Sequence, residues 1–309
     1  MSGSSFLTAQ KPVCPPDLLE RARKARPDPM RLAVVRAAAP LPMQTAKQAF
    51  EEGIATPILI GEADLIKKEA EAINWDLSGI MIHDSKGEKG AIDHATAMTR
   101  NGGADALMKG HLHSDVFMGG IVNRDAGIRG GTRMVHIFAM FPPDGGQPIL
   151  ISDGAVNVKP DIKTRQQMIL SLTDMAKSLG IDTPKIAIIS ATETPIPSIP
   201  SSMEAKELND WAQHHVTDAV VSGPLSFDLA MSPEAVAIKG MTGNPVAGFA
   251  DALVMPDLTS GNVLFKSMVW HNAACAAGVV IGGKVPIILT SRADAQESRL
   301  ASIALAALC

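Results

Sequence analysis

Arg31-Leu-Ala-Val-Val35 has the length and composition of a buried strand, and so does Thr56-Pro-Ile-Leu-Ile60. Between these runs, residues 44–52 have the spacing of an amphipathic helix. A strand, a helix and a second strand in this order usually place the two strands parallel in one sheet. This stretch therefore predicts an α/β fold.

The same alternation continues along the rest of the chain. Apolar runs and helical periodicity predict helices over 62–73, 92–101, 162–179, 202–214 and from about 261, and strands over 79–82, 104–108, 185–190, 218–221, 252–255, 276–281 and 286–289. One interruption occurs, where strands over 134–140 and 148–152 are joined by Pro142-Pro-Asp-Gly-Gly146, a connection suited to a hairpin. We expect two domains from the length of 309 residues, with a first hinge in the loop 123–131.

Composition excludes several classes of protein. The hydrophobic fraction of 46% is ordinary for a globular protein, and the net charge of −4 gives no general attraction to nucleic acid. No apolar run reaches the length of a membrane span, and the N-terminus lacks a secretion-signal pattern. The three cysteines are far apart without metal spacing, which favours a reduced, cytoplasmic protein. The absence of tyrosine excludes a tyrosine acid or base.

The C-terminal stretch Pro286-Ile-Ile-Leu-Thr-Ser-Arg-Ala-Asp-Ala-Gln-Glu-Ser298 combines a strand with an amphipathic helix predicted from about Arg292 to Leu308. The first N–H groups of a helix are unpaired and lie at the positive end of its dipole. A hydroxyl from Ser291 and a guanidinium from Arg292 at that position predict a binding site for phosphate or another small oxyanion.

Five motifs occur in order along the chain. They are Leu150-Ile-Ser-Asp-Gly-Ala-Val-Asn157, Asp218-Ala-Val-Val-Ser-Gly-Pro-Leu-Ser-Phe-Asp228, Asn244-Pro-Val-Ala-Gly-Phe-Ala-Asp251, the run from Pro256-Asp257 through Gly261-Asn262 to Lys266, and Leu289-Thr-Ser-Arg-Ala-Asp294. Together they closely resemble the phosphate acetyltransferase/phosphate butyryltransferase family, strongly over about residues 100–309 and loosely over 30–100. Lys109-Gly110 and the last motif look more like the butyryl branch.

This resemblance implies reversible acyl transfer between coenzyme A and phosphate, by direct attack of the thiolate in a ternary complex. It also implies two αβα domains with an interdomain cleft, similar to isocitrate and isopropylmalate dehydrogenases. We expect the first domain at 1–127, completed by the C-terminal helix in 288–309, and the second at 128–287. The family implies a homodimer that uses no metal or redox cofactor, with acyl-CoA and phosphate as substrates.

The resemblance also implies the residues of the site. Ser291 and Arg292 match a Ser-Arg pair that orients phosphate and the reacting carbonyl. Positions expected to contact substrate are Lys109, Gly110, His113, Ser114, Ser222, Gly223, Pro224, Asn262, Lys266 and Ser298. Met118 stands where the acetyl branch has an arginine, and the missing charge is expected from Lys109, Arg124 or Arg129. His111 and His113 alone do not define a metal site, because zinc requires three or four ligands.

The proton acceptor for the thiol is the open point. The acetyl branch has an Asp six residues after the Ser-Arg arginine, and that position here is Ser298. We expect Asp294 to act as the base, since on one helix it would share a face with Ser298. The alternative is structural, because Ser291 and Asp294 have the spacing of a capping box.

Two other functions remain possible from the sequence. One is a nicotinamide-dependent dehydrogenase on the same scaffold, although no G-x-G-x-x-G follows a strand. The other is a non-catalytic module that binds CoA or acyl phosphate, because the expected carboxylate has become Ser298.

Overall fold

The computed structural model of the protein describes residues 6–291 and 294–309. The chain forms two compact units. The terminal unit consists of Pro12–Met134 and Ala277–Cys309, and the central unit consists of Val135–Ala276 with the N-terminal residues up to Lys11. The chain therefore passes between the units at three points.

The terminal unit begins with a helix that was not predicted, and from its first to its fourth strand it follows the predicted alternation. Its elements are α1 (Pro16–Ala25), β1 (Met30–Val35), α2 (Pro40–Glu51), β2 (Ala55–Gly61), α3 (Ala63–Ala72), β3 (Met81–Asp84), α4 (Gly87–Arg100), β4 (Ala106–Lys109) and α5 (Ser114–Val122). Helix α5 was not predicted, because its nine residues are mostly apolar and include the pair Gly119-Gly120, so no amphipathic period is visible.

The central unit contains the predicted antiparallel hairpin and then resumes the alternation. Its elements are β5 (Val135–Phe141), β6 (Ile149–Ser152), α6 (Ile162–Ser178), β7 (Lys185–Ile189), α7 (Pro200–His215), β8 (Val220–Leu225), α8 (Phe227–Met231), α9 (Pro233–Ile238), β9 (Ala252–Val254) and α10 (Leu258–Asn272). The strand order is β5-β6-β9-β7-β8, with only β5 and β6 antiparallel. Asp161 and Asp257 cap α6 and α10 through their side chains.

The chain ends with β10 (Cys275–Ile281), β11 (Ile287–Ile288) and α11 (Gln296–Ala306). The strand order of the terminal unit is β3-β2-β1-β4-β11-β10, in which only β10 and β11 run antiparallel. The prediction that the last helix starts at Arg292 was wrong, since α11 begins at Gln296. Ser291 therefore precedes the helix by several residues instead of lying in its first turn.

Buried apolar side chains form the core of each unit. The residues of α11 from Ser298 to Ala306 are all buried, and this helix packs against α1 and α2. In the central unit, side chains from β5, β6, β7 and β9 meet α8 and α10. Burial on this scale supplies the main driving force for folding. No helix among the described residues is long and apolar enough to span a membrane.

The units change at residues 134/135 and 276/277, whereas the expected domain boundaries were 127/128 and 287/288. Backbone hydrogen bonds explain the difference. Gly130 N–H donates to Gly282 O at 3.1 Å, and Lys284 N–H donates to Ile128 O at 2.8 Å. These bonds join residues 128–130 to residues 282–284 within the terminal unit, and sequence patterns do not reveal such long-range pairing.

Gly110 allows the end of β4 to pass very close to the end of β1. A Cβ at this position would lie 2.4 Å from Val35 O and 2.5 Å from Arg36 O. The Gly110 and His111 N–H groups donate to these two carbonyls, each at 2.9 Å. Only glycine permits this approach, so β4 leaves the sheet along a path fixed by β1.

We expect Gly110→Ala to lower the free energy of unfolding by about 2 kcal/mol or more, because the new methyl group would overlap two backbone oxygens. Urea unfolding followed by circular dichroism measures the loss. Gly119→Ala in α5 is the matched control, since nothing lies within 4 Å of its Cβ position, and it should leave stability unchanged or raise it. Equal stability of the two variants would contradict the close approach.

Candidate active site

Parallel strands of the terminal unit bring several polar residues to one edge. Strand β1 pairs in parallel with β2 and β4, and β4 pairs in parallel with β11 through Leu107–Ile287 and Met108–Ile288. The carboxyl ends of these strands therefore lie together, which is where α/β proteins place ligands. The residues that follow the strands at this edge include Arg36, Glu62, Gly110 and Ser291.

Lys109 is the last residue of β4 and is buried, at 6% exposure. The predicted contact residues Gly110, His113 and Ser114 follow it directly, and Ser114 begins α5. His113 occupies the N-cap position without a side-chain cap bond. The backbone N–H groups at the start of α5 thus follow Lys109 by only a few residues, in one strand-to-helix connection.

Arg36 and two glutamates form a charge network beside this connection. The Arg36 guanidinium contacts the Glu62 carboxylate at 3.3 Å and the Glu88 carboxylate at 3.5 Å, and it donates to His111 O at 3.1 Å. Arg36 itself has left-handed backbone, with φ of 56°. Non-glycine residues adopt this conformation infrequently, and it recurs at functional sites.

His113 is joined to Glu88 by three contacts. Its Nδ1 lies 2.8 Å from Glu88 Oε1 and 3.0 Å from Oε2, and its backbone N–H donates to Oε2 at 3.2 Å. Burial alone would raise the pKa of Glu88, but the hydrogen bonds from His113 and the Arg36 charge hold that pKa below its usual value. Glu88 is therefore an ionised partner for the imidazole at neutral pH.

Ser291 and Asp294 close a turn ahead of α11. Asp294 Oδ2 accepts from the Ser291 N–H at 2.6 Å, and the Asp294 N–H donates back to Ser291 O at 3.3 Å. The bond from the Ser291 N–H to the Asp294 carboxylate is the one expected if Asp294 has a structural role in a capping box. The turn lies before α11, however, and does not cap it. Asp294 and Ser298 do not share a helix face, because Asp294 precedes α11 and Ser298 lies buried within it.

Arg299 holds the same turn and was not predicted. Its guanidinium donates to Thr290 Oγ1 at 3.0 Å, to Asp294 O at 3.3 Å and to Ser291 O. Burial lowers the pKa of Arg299, against the opposing effect of Asp294. In the sequence Arg299 resembles a solvent-exposed arginine on a helix. The signal for a buried side chain was the run of small and apolar residues that follows it. Arg292 lies outside the described residues.

The central unit joins two further motifs at the ends of β6 and β9. Asp153 is buried, and its carboxylate accepts from the N–H groups of Ala155 and Val156 and from Asn157 Nδ2. Asn262 Nδ2 donates to Gly154 O at 3.0 Å. A Cβ on Gly261 would lie 2.3 Å from Asp153 O, so the start of α10 packs directly on this turn.

The remaining predicted contact residues also lie in the central unit. Ser222 Oγ accepts from Asn244 Nδ2 at 2.8 Å, and a Cβ on Gly223 would lie 2.6 Å from Ile188 Cβ. Pro224 follows in β8. Lys266 is exposed on α10, beside a groove of about 530 Å³ that is lined by Leu7, Asn262, Val263, Lys266, Ser267, Trp270 and His271.

The predicted residues thus form groups within each unit. In the terminal unit, the strand ends place Lys109, Gly110, His113 and Ser114 at the same edge as Ser291. Asn262 and Lys266 share α10 in the central unit, while Ser222, Gly223 and Pro224 lie on β8. Sequence reasoning missed Arg36, although it follows a predicted strand in the same way as the residues that were selected. No group of three His, Cys, Asp or Glu in residues 6–291 and 294–309 has the arrangement of a metal site.

Comparison with known proteins identifies the class. The family model for phosphate acetyl/butaryl transferase matches residues 86–307. A phosphate acetyltransferase of Rhizobium meliloti is 40% identical over 264 residues, covering 85% of this chain and 83% of that protein. A phosphate butyryltransferase of Clostridium acetobutylicum is 34% identical over 267 residues, covering 86% and 88% respectively. The crystal structure of a branched-chain phosphotransacylase from Enterococcus faecalis matches with a TM-score of 0.77 at 30% identity, covering 90% of this chain and 99% of that one.

The mixed α/β fold and these similarities define an acyltransferase. The chain belongs to the phosphate acetyl/butaryl transferase family, as its ordered motifs predicted. The comparisons favour this function over the dehydrogenase alternative. Relatives from both the acetyl and the butyryl branch are similar to the chain, so the comparisons do not favour the butyryl branch in particular.

We expect Asp294→Asn to keep turnover within about fivefold of the wild type, because the amide oxygen still accepts the Ser291 N–H. Steady-state kinetics with acyl phosphate and CoA measure this. Asp76→Asn, in an exposed turn of the same unit, is the control for a general effect of removing a carboxylate. A loss far above tenfold in Asp294→Asn alone would instead establish Asp294 as the base.

His136 on β5 gives the central unit a distinct pH dependence. Its ring is completely buried and hydrogen-bonds to none of the described residues. Burial lowers the pKa of His136 to about 4, and the nearby Asp153 offsets this only in part. Below the unfolded-state pKa of about 6.5, the unfolded chain binds a proton that the folded chain does not bind. Stability is therefore lost as the pH falls from about 6.5 toward 4.

Urea unfolding between pH 7 and pH 4.5 tests this loss against His136→Phe, which cannot titrate. We expect the wild type to lose stability relative to the variant by on the order of 1 kcal/mol per pH unit. If the free energy of unfolding fell equally with pH in both proteins, His136 would bind a proton as readily in the folded as in the unfolded chain, and the prediction would be wrong.

Proposed function

We propose that the protein catalyses the reversible reaction of acyl-CoA with phosphate to give acyl phosphate and CoA. The carrying observation is the edge of the terminal unit, where Ser291 follows β11 beside the Lys109-Gly110 end of β4. A hydroxyl, an ammonium group and the N–H groups of α5 together suit the binding of a phosphate. Family membership supports the same reaction.

In this proposal Ser291 and Arg292 orient the phosphate and the acyl carbonyl, and Asp294 and Arg299 hold the turn that carries Ser291. The CoA thiolate attacks the carbonyl directly in a ternary complex. Donors fixed in advance stabilise the oxyanion of the tetrahedral intermediate at little reorganisation cost. Lys109, Gly110, His113 and Ser114 contribute from the terminal unit. Ser222, Gly223, Pro224, Asn262, Lys266 and Ser298 remain proposed substrate contacts.

We also propose the finer features that the family resemblance implies. The two units correspond to αβα domains of the isocitrate/isopropylmalate dehydrogenase type, and catalysis uses no metal or redox cofactor. The acyl group is short, since relatives named for acetyl and butyryl transfer are both similar. A homodimer is supported by exposed Val263 and Trp270 on α10. A cytoplasmic location is supported by three cysteines that form no disulfide within the described chain.

The test is thiol release by the purified chain from acetyl-CoA, propionyl-CoA and butyryl-CoA. We expect release that requires phosphate, and we expect Ser291→Ala to lower it by about 100-fold, the usual cost of removing one oxyanion donor. Reactions without phosphate are the control. Binding of acyl-CoA without thiol release would support the non-catalytic module instead, and reduction of NAD(P) would support a dehydrogenase.

A further inference from the structure

The proposed reaction requires a group that accepts the proton of the CoA thiol, because a thiol is mostly protonated at neutral pH and only the thiolate is a good nucleophile. The Asp294 carboxylate is engaged with the Ser291 N–H. Ser298 carries no carboxylate and lies buried in α11. The same edge of the terminal unit offers a second acceptor, whose side chain is not part of the turn that carries Ser291.

His113 has the geometry of such an acceptor. The Glu88 carboxylate lies 2.8 and 3.0 Å from Nδ1, so the neutral imidazole carries its hydrogen on Nδ1 and leaves the lone pair of Nε2 available. Nε2 hydrogen-bonds to no residue in the described part of the chain. A carboxylate that orients an imidazole in this way is the arrangement by which histidine bases are held in many hydrolytic and transfer enzymes.

Exposure differs between the two partners. The Glu88 side chain is 22% exposed, whereas that of His113 is 70% exposed. The carboxylate is thus partly shielded and held by Arg36, while the imidazole faces solvent, where a substrate has access. The charged groups around His113 are Glu88 on α4, Arg36 at the end of β1, Glu62 one contact further, and Asp115 on its own helix.

The position of His113 matches the proposed chemistry. It lies four residues beyond Lys109 at the end of β4, and Ser291 lies three residues beyond Ile288, which pairs with Met108. Both segments leave neighbouring parallel strands at the same edge. The Gly110 and His111 hydrogen bonds to β1 fix the path of the first segment.

We propose that His113 is the general base of the acyl transfer and that Glu88 positions it; this inference rests on the proposed function. Nε2 of His113 takes the proton of the CoA thiol, and the S–H electron pair stays on sulfur. Sulfur then bonds to the carbonyl carbon of the acyl phosphate. The bond from that carbon to the bridging oxygen breaks, and phosphate leaves with the electron pair. The imidazolium returns its proton to solvent, and in the reverse direction it protonates the departing thiolate.

The decisive experiment is the pH profile of kcat/KM for CoA with His113→Gln. We expect a loss of about 100-fold or more at pH 7. The deficit should shrink to below about tenfold by pH 9.5, because the thiol then ionises without a base. His111→Gln is the matched control, since its exposed ring lies two residues away and contacts no carboxylate in the described chain. It should stay within about twofold of the wild type at every pH.

Chemical rescue separates a base from a structural residue. Added imidazole should restore part of the activity of His113→Gly but none of that of Glu88→Gln, whose histidine is still present. Thermal unfolding followed by circular dichroism establishes that the variants fold. A deficit of His113→Gln that is constant across pH, or activity within threefold of the wild type at pH 7, would overturn the role of His113 alone. A wild-type chain without phosphate-dependent thiol release would overturn the proposed function and this inference together.

Discussion

The close approach of Gly110 to the ends of β1 is the constraint on which the candidate site depends. Gly110 has no side chain, so the backbone after β4 comes close enough to the carbonyls of Val35 and Arg36 to form two hydrogen bonds with them. The path of residues 110–114, and with it the start of α5, follows from this junction. Arg36 is positioned by the same junction, since its carbonyl oxygen accepts one of the two bonds. A backbone contact thus determines where the charged groups lie.

Charged side chains stabilise the loops at this edge by bonding to the backbone. Glu62 accepts the Gly87 N–H, Glu88 accepts the His113 N–H, and Asp294 accepts the Ser291 N–H. Arg299 stabilises the turn before α11 with the roles exchanged, because its guanidinium donates to backbone carbonyls there. Such half-buried groups are stable because each charge is paired with an opposite charge or with fixed N–H and C=O dipoles. The loops are held in one shape before a substrate binds, which lowers the cost of binding.

Much of the fold was predictable because its signals are local. Apolar runs identified the strands, the turn-rich stretch 142–146 identified the hairpin, and the family motifs identified the reaction class. The start of α11 was misplaced because the Ser291–Asp294 turn has the spacing of a helix cap without forming one. Contacts across long separations, such as Arg36 with Glu62 and Glu88, leave no periodic signal in the sequence. Arg299 and the Glu88–His113 pair therefore became visible only in three dimensions.

The three passages of the chain between the units have a consequence for synthesis on the ribosome. The terminal unit needs β11 to cover the edge of β4, and it needs α11 to bury the apolar faces of α1 and α2. Those elements follow the whole of the segment Val135–Ala276 in the chain. During translation, the strands and helices from β5 to α10 are therefore all made before the terminal unit can cover β4, α1 and α2. The central segment can fold as a unit at a stage when most of the terminal unit still lacks its last strand and helix.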